Sequence, residues 1–474
     1  MDSQEFLMDD ANIEELPLEL LVHIFSFLSL EELFSSIQHV CLYWKHVYES
    51  PILWSSVIYR PDLNTGESQM AQFLKQIPRL RKINVTRPID ADIFVDSVVQ
   101  SCPDIHVFHV PNIYDLNCDH LETLVTRYPH LESFRIKIGQ SDVGRFIEIL
   151  SGLKRLKRLQ IRVIFSTSFK GKLRPIADGC PSLKRLALIG SGYYVTSDDM
   201  TYFLEKKKDT LVYLNVQCLS LTPQVLKLLS SSKSLEDLKI GSMSIQKRSF
   251  AYFFGLTSRL KRLSIRYYRE LEPALSEMFH IPWKSLSYLH LSYLTKMRLE
   301  SIFCNCPSLE TLYLDGADSL MTDEDFASIH KLSKLSKLRL YRFKLLRDRT
   351  AEFIAECGNM RYLKLSTCPA MSDESIGYLV RCEKMKELFI DHFNLTGSTL
   401  HRIECLLHLT LLQVTYCDDI DPGILGLERL DLEEMNPHLS GGRVVNDLGK
   451  GGRHLHCTRL GANPDLPVFG SLVQ

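Results

Sequence analysis

"LETLYL", residues 309–314, and "LSKLRL", residues 335–340, share one pattern, apolar-x-x-apolar-x-apolar, and begin 26 residues apart. The pattern recurs as "LRKINV", "IHVFHV", "LESFRI", "LKRLQI", "LKRLAL", "LVYLNV", "LEDLKI", "LKRLSI" and "LSYLHL" before them, and as "MRYLKL", "MKELFI" and "LTLLQV" after them. The first apolar residues run from Leu80 to Leu409 in 13 steps of 23 to 28 residues, about 25 on average. Within each hexad the last two apolar residues are two apart, which predicts a short strand with one face buried and the residue between them turned outward. Helix-like stretches lie between the hexads, among them "SDVGRFIEIL", "TPQVLKLL", "TDEDFASIHKL", "RTAEFIAEC" and "SDESIGYLV", several opened by Ser, Thr or Asp in the manner of an N-cap. A helical solenoid would repeat at roughly 40 to 47 residues, so the period argues instead for one strand and one helix per unit, the strands stacked in parallel.

That period and hexad resemble leucine-rich repeats. "CPDI", "CPSL" and "CPSL" at Cys102, Cys180 and Cys306, with Cys357 and Cys382 in the same place, are similar to the cysteine-containing subtype. These cysteines read as small buried hydrophobes at helix ends. The fold expected is an α/β leucine-rich-repeat solenoid over 77–434, about 14 units, with a curved parallel sheet inside and helices outside.

Composition narrows the function. The 474 residues hold 56 Lys+Arg against 57 Asp+Glu, a net charge of −1, so whole-chain attraction to nucleic acid or to anionic membranes is not expected. "MDSQEFLMDDANIEE" is acidic, without the basic and apolar regions of a signal peptide, and no run of about 18 apolar residues is present. Thirteen scattered cysteines, an odd number with no CxxC pair, suit reduced thiols in the cytoplasm or nucleus better than a disulfide framework or a zinc ribbon.

"LPLELLVHIFSFLSLEELFSSIQHVCLYWKHV", residues 16–47, precedes the repeats. From Pro17 to Leu28 it has helical length, and its only polar side chains, Glu19, His23 and Ser26, make one narrow stripe, so burial on two sides is expected. Ser29 and Glu32 have capping-box spacing and mark a second helix, and "CLYWKHVYES" a third. Three short helices cannot enclose much core, so the surplus apolar surface predicts a partner. Leu16, Pro17, Leu20, Ile24, Phe25, Leu28, Leu33, Val40, Cys41, Trp44, Leu53 and Trp54 resemble an F-box over 13–58. The resemblance implies docking on a Skp-type adaptor, and through it on a cullin and a RING subunit. The adaptor-facing residues it implies are Leu16, Pro17, Leu20, Ile24, Leu28, Val40 and Trp44, with Phe25 and Leu33 kept for the core. The order of the two motifs resembles the F-box/leucine-rich-repeat substrate receptors of SCF-type ubiquitin ligases. Such a chain is not itself an enzyme, needs no cofactor, and contributes proximity and orientation.

The outward residues of the hexads and the residues just after them include seven cations, Arg135, Lys137, Arg162, Lys239, Arg266, Arg339 and Lys364, against Asp315 and Asp391. Arg pairs bidentately with phosphate, so an acidic or phosphorylated target segment is the expected ligand of this face. A solvated face with chance bias is the plainer reading. RNA is disfavoured by the few stacking platforms, Tyr313, Tyr341 and Phe389. Residues 1–12 read as a flexible acidic lead and 59–76 as a linker or first repeat cap. "LERLDL" at 427–432 reads as a last strand or cap, and the Gly/Pro-rich 435–474 as a disordered tail. "HLHC" at 454–457 is too isolated to predict a metal site. A non-degradative interaction scaffold built on the repeats is the competing function.

Overall fold

The computed structural model describes residues 13–458 except 14–15, 62–64, 78, 140–142, 164–166, 169, 191–192, 246–251, 253–254, 267–276, 317–318, 392–402, 404, 416–442 and 445–453. The chain divides into two compact units, Met1–Cys218 and Leu219–Gln474.

The first unit begins with short helices. Leu18–Phe25 starts behind Pro17 and ends three residues before Leu28, where the chain turns. Its inner face is Leu21, Val22 and Phe25, and Phe25 meets Trp44 edge-on with ring centroids 5.0 Å apart. The expected capping box forms at Ser29, whose hydroxyl accepts the Glu32 N–H at 3.2 Å while Glu32 accepts the Ser29 N–H at 2.8 Å. The helix it opens passes through a π segment, Leu33–Ile37, before Val40, and Leu42–Glu49 follows. A fourth helix, Pro51–Ser56, was not anticipated. Pro51 occupies its first position, where no amide donor is needed, and the Trp54 indole N–H donates to the Tyr48 carbonyl at 2.7 Å.

Ten strands follow: β1 (Lys82–Asn84), β2 (Ile89–Asp90), β3 (Val107–Val110), β4 (Ile113–Tyr114), β5 (Ser133–Ile138), β6 (Arg158–Val163), β7 (Thr167–Ser168), β8 (Arg185–Gly190), β9 (Tyr193–Tyr194) and β10 (Tyr213–Leu221). β1, β3, β5, β6, β8 and β10 pair in parallel in that order, and β2–β4 and β7–β9 are separate two-stranded pairs. The register is the hexad register. Asn84 stands beside His109, then come Arg135, Gln160, Ala187 and Asn215. The alternate positions Ile83, Phe108, Phe134, Leu159, Leu186 and Leu214 form the buried row. Gly190, at φ +144, lets β8 close on β6, since a Cβ there would collide with the Val163 carbonyl. Tyr59 bonds both ways to β1, its N–H to Lys82 O and its carbonyl from the Asn84 N–H, each at 2.9 Å. Tyr59 thereby covers an otherwise open sheet edge, and its ring stacks on Phe73 of the helix Glu67–Gln76.

In the second unit β11 (Asp237–Ile245), β12 (Arg262–Arg266), β13 (Tyr288–Leu291), β14 (Thr311–Asp315), β15 (Lys337–Tyr341), β16 (Tyr362–Ser366), β17 (Glu387–Asp391) and β18 (Leu411–Thr415) pair in parallel, each with the next. Helices Pro223–Ser231, Glu300–Asn305, Asp348–Ala355 and Asp373–Leu379 fall outside the strands in sequence, while "TDEDFASIHKL" forms two 3-10 turns, Asp323–Phe326 and Ile329–Lys331, in place of one helix. Within the segment expected to be a disordered tail, β19 (Arg443–Val444) and β20 (His454–Thr458) are described, β20 pairing antiparallel with both β18 and β19. "LERLDL" and the rest of the tail lie outside the described residues, as do residues 1–12.

Carboxylates tie two successive outer segments of this unit to the ones that follow. Asp323 accepts from the Arg347 N–H at 2.8 Å and from the Thr350 hydroxyl. One repeat later, Asp348 accepts from the Ser372 N–H at 2.8 Å, the Ser375 N–H at 3.1 Å and both serine hydroxyls. Burial opposes ionisation of Asp348, but these hydrogen bonds outweigh it and hold the carboxyl below its ordinary value. Asp348→Ala should therefore cost about 2 kcal/mol at neutral pH, read by denaturant unfolding. Because the folded value is depressed, that margin over the variant is present above about pH 4 and shrinks as pH falls further.

Candidate functional site

The helical module leaves a row of apolar side chains in solvent. Leu20 is 49% exposed, Ile24 39% and Phe27 72%; Leu20 and Ile24, four residues apart, share one face of the first helix, and Phe27 follows in the turn just after its end. Pro17 is exposed ahead of them, and Leu16 and Leu28 are half-buried at the two ends. The Tyr43 hydroxyl donates to the Leu16 carbonyl at 3.0 Å, fixing the entry to the helix against Leu42–Glu49. Val40 is 54% exposed, and Trp44 is half-buried against Phe25, its indole N–H enclosed without an acceptor. Phe25 and Leu33 are buried, as the sequence pattern implied. Phe27, Leu42, Ile52 and Ile13 are exposed apolar residues that the sequence reading passed over. The spacing from Leu20 could have found Phe27, whereas nothing in the local pattern of "CLYWKHV" marks Leu42 as outward.

The strand face of the first unit carries more positive charge than the hexads indicated. Arg135, Lys137 and Arg162 lie on β5 and β6, with Lys137 directly opposite Arg162. The position before the middle apolar residue adds Arg158 and Arg185, opposite one another on β6 and β8. In-register like charges destabilise a sheet. Among the described residues none of these five forms an ion pair. Arg185 rests over the Tyr213 ring at 4.4 Å, Lys137 over Tyr114 at 4.3 Å, and Arg162 donates to the Asn112 side-chain carbonyl at 3.3 Å. The Arg135 Nε is buried without an acceptor. Burial, and then the Arg162 charge, lower the proton affinity of both Arg135 and Lys137. His109, beside Arg135 in the register, is pushed down to about 4 by burial and by Arg135 and Arg158.

The other four cations lie in the second unit and are set differently. Burial, and then the charges of Arg266, Arg339 and Lys239, push His290 down to about 4. Lys364 lies over the Phe389 ring at 5.3 Å and Arg339 over Tyr341 at 5.6 Å. Carboxylates accompany this face: Asp237 pairs with Arg262 at 3.3 Å and Asp315 with Arg342 at 2.8 Å. Tyr288, Tyr313 and Tyr362 add aromatic surface, Tyr288 and Tyr313 edge-on at 5.5 Å. Their strand positions precede or occupy the outward hexad site, and only Tyr313 was singled out from sequence.

The cysteines at the helix ends are buried. Burial pushes Cys102, Cys306, Cys357 and Cys382 up to about 12 and Cys180 up to about 11, so their thiols stay protonated and unreactive. Among the described residues one group has the chemistry of metal ligands, Asp104, His106 and His130. The side chains of "HLHC" lie outside the described residues. No described helix is long and apolar enough to cross a membrane.

Residues 13–60 match the F-box-like family model. The chain carries an F-box-like domain ahead of its stacked strand repeats. Its F-box-like domain holds the exposed stripe described above. An F-box protein of Arabidopsis thaliana is 23% identical over 193 residues, which is 40% of this chain and 52% of the relative. The chain thus spans about half the length of that relative. Among solved structures, Rad7 from its yeast complex with Elc1 is 15% identical, with a TM-score of 0.45 over 69% of this chain and 83% of that one. An internalin of Listeria monocytogenes is 14% identical, with a TM-score of 0.35 over 81% and 86%.

The cation cluster makes a measurable claim about His109. Arg135→Gln should raise the His109 titration midpoint from about 4 toward its ordinary value, followed by NMR of labelled histidine. An unmoved midpoint would mean that burial and Arg158 set it without Arg135.

Proposed function

We propose that this chain is the substrate-recognition subunit of an SCF-type ubiquitin ligase. The observation that carries the reading is the stripe of Leu20, Ile24 and Phe27, exposed on an F-box-like domain too small to cover it from within. A Skp-type adaptor would bury Leu16, Pro17, Leu20, Ile24, Leu28 and Val40 and close over Trp44, linking the chain to cullin and RING subunits. The chain itself is then non-catalytic, and it raises ubiquitin transfer by holding a target near the charged conjugating enzyme. Work in that pathway places it in the cytoplasm, the nucleus or both.

The strand face is the target-binding surface in this reading, with Arg135, Lys137, Arg162, Lys239, Arg266, Arg339 and Lys364 as contacts. Arg158 and Arg185 join the first three. Their uncompensated charge favours an acidic or phosphorylated target segment, because a bound anion relieves repulsion that the fold otherwise carries. In the second unit, Asp237 and Asp315 already balance part of the charge, and aromatic surface dominates.

Two measurements separate the halves of the proposal. The triple variant Leu20→Ala, Ile24→Ala, Val40→Ala should weaken adaptor binding by about 3 kcal/mol, roughly 100-fold, with the unfolding of the repeats unchanged. Failure of the folded wild type to bind the adaptor would leave the scaffold function in its place. Arg135→Glu with Arg162→Glu should cut retention of a phosphopeptide library at least tenfold while adaptor binding persists. Equal retention of the dephosphorylated library would remove phosphate from the account, and displacement of the peptides by single-stranded RNA would point to nucleic acid.

A further inference from the structure

Two neighbouring repeats of the first unit enter their strands through related turns, "CPDIH" before β3 and "YPHLE" before β5. The alignment sets Asp104 against His130 and His106 against Glu132, and the Glu132 N–H donates to the His106 carbonyl at 2.8 Å. Three side chains converge there. Asp104 Oδ1 lies 3.0 Å from His106 Nε2 and 3.2 Å from His130 Nε2, and the three candidate ligand atoms are all within 4.8 Å of one another. The side chains are 38%, 29% and 35% exposed, open enough for an ion to reach them.

We propose that Asp104, His106 and His130 bind a transition-metal dication of the zinc class. Bonds of about 2.0–2.2 Å to a tetrahedral ion put neighbouring ligand atoms roughly 3.3–3.5 Å apart, so small movements would admit the ion among them. Two imidazole nitrogens with one carboxylate oxygen favour zinc, cobalt, nickel or copper over magnesium and calcium, which take oxygen ligands. The far oxygen of Asp104 is held by Arg81, Nε to Oδ2 at 3.1 Å, which leaves Oδ1 turned to the histidines. A carboxylate fixed in this way is an ordinary supporting arrangement for a ligand. Arg81 also opposes a dication, but its charge is already balanced by Asp104, and the nearby Glu132 carboxylate is paired with Lys157 at 2.8 Å. Three protein ligands leave a fourth position for water or for a partner's side chain. The bound ion would staple the β3 and β5 repeats together. The proposal is independent of the ligase reading, because it concerns neither the F-box-like domain nor the cation cluster.

The test uses the full chain stripped with a chelator and titrated with Co²⁺ and, separately, Zn²⁺. The expected result is the intense visible absorption of a tetrahedral cobalt site, and a rise in melting temperature with zinc. His106→Gln and His130→Gln should each lose the absorption and weaken binding at least tenfold, while melting as the wild type does in chelator. Asp104→Asn serves as the deciding variant if either histidine change impairs folding. Absence of cobalt or zinc binding by the wild type would overturn the proposal. So would variants that bind as the wild type does, since the ion would then sit on other ligands.

Discussion

Each strand of this protein depends on its neighbour's backbone. A single hexad is too short to bury its apolar pair or to satisfy its own amides, and parallel pairing with the next repeat does both together. In either unit, a one-residue slip would turn Leu338 or Phe134 into solvent and draw Arg339 or Arg135 into the core. The apolar alternation therefore fixes the register, and the register alone brings residues about 25 positions apart into rows. Every functional feature of the strand face follows from those rows.

The rows explain why charge accumulates where it does. Lys137 meets Arg162, and Arg158 meets Arg185, because each pair occupies equivalent positions in consecutive repeats. A cluster of this kind costs stability, which the core beneath it offsets with Phe134, Leu159 and Leu186, all nearly or fully buried. The same geometry operates at the turn before the strands, where "CPDIH" and "YPHLE" bring acid and imidazole together. Elsewhere it produces the caps from Asp323 and Asp348, each reaching the following repeat's outer segment. One device, equivalent positions held side by side, thus serves stability at some positions and site-building at others.

The F-box-like domain works by the opposite logic. Its helices follow each other closely and its core is small, with Leu21, Phe25, Leu33, Val47 and Leu53 buried. The apolar residues left over cannot turn inward, because those places are filled. The second helix start was legible from Ser29 and Glu32 alone, since a capping box is a local hydrogen-bond pattern. The fourth helix was not, because Pro51 closely follows the third and a proline can stand beyond a helix end as readily as at the first position of a new one. Phe27 and Leu42 were missed for a related reason: apolar character says that a residue will be buried by something, and does not say by which surface.

Periodicity in the sequence was sufficient for the repeat fold, its strand positions and the outward rows, because alternation and spacing are local properties that a strand must obey. It was also sufficient for the buried cysteines, whose place at the helix ends is set by the same count. Only the tertiary structure decided which outward charges lack compensation, which lie against aromatic rings, and which histidine approaches Asp104. Those facts depend on side chains from different repeats meeting in space, and on pairings such as Arg342 with Asp315 that join a turn to an earlier strand. Spacing along a chain names the row a residue belongs to. Burial and the charges beside it determine what that residue can do.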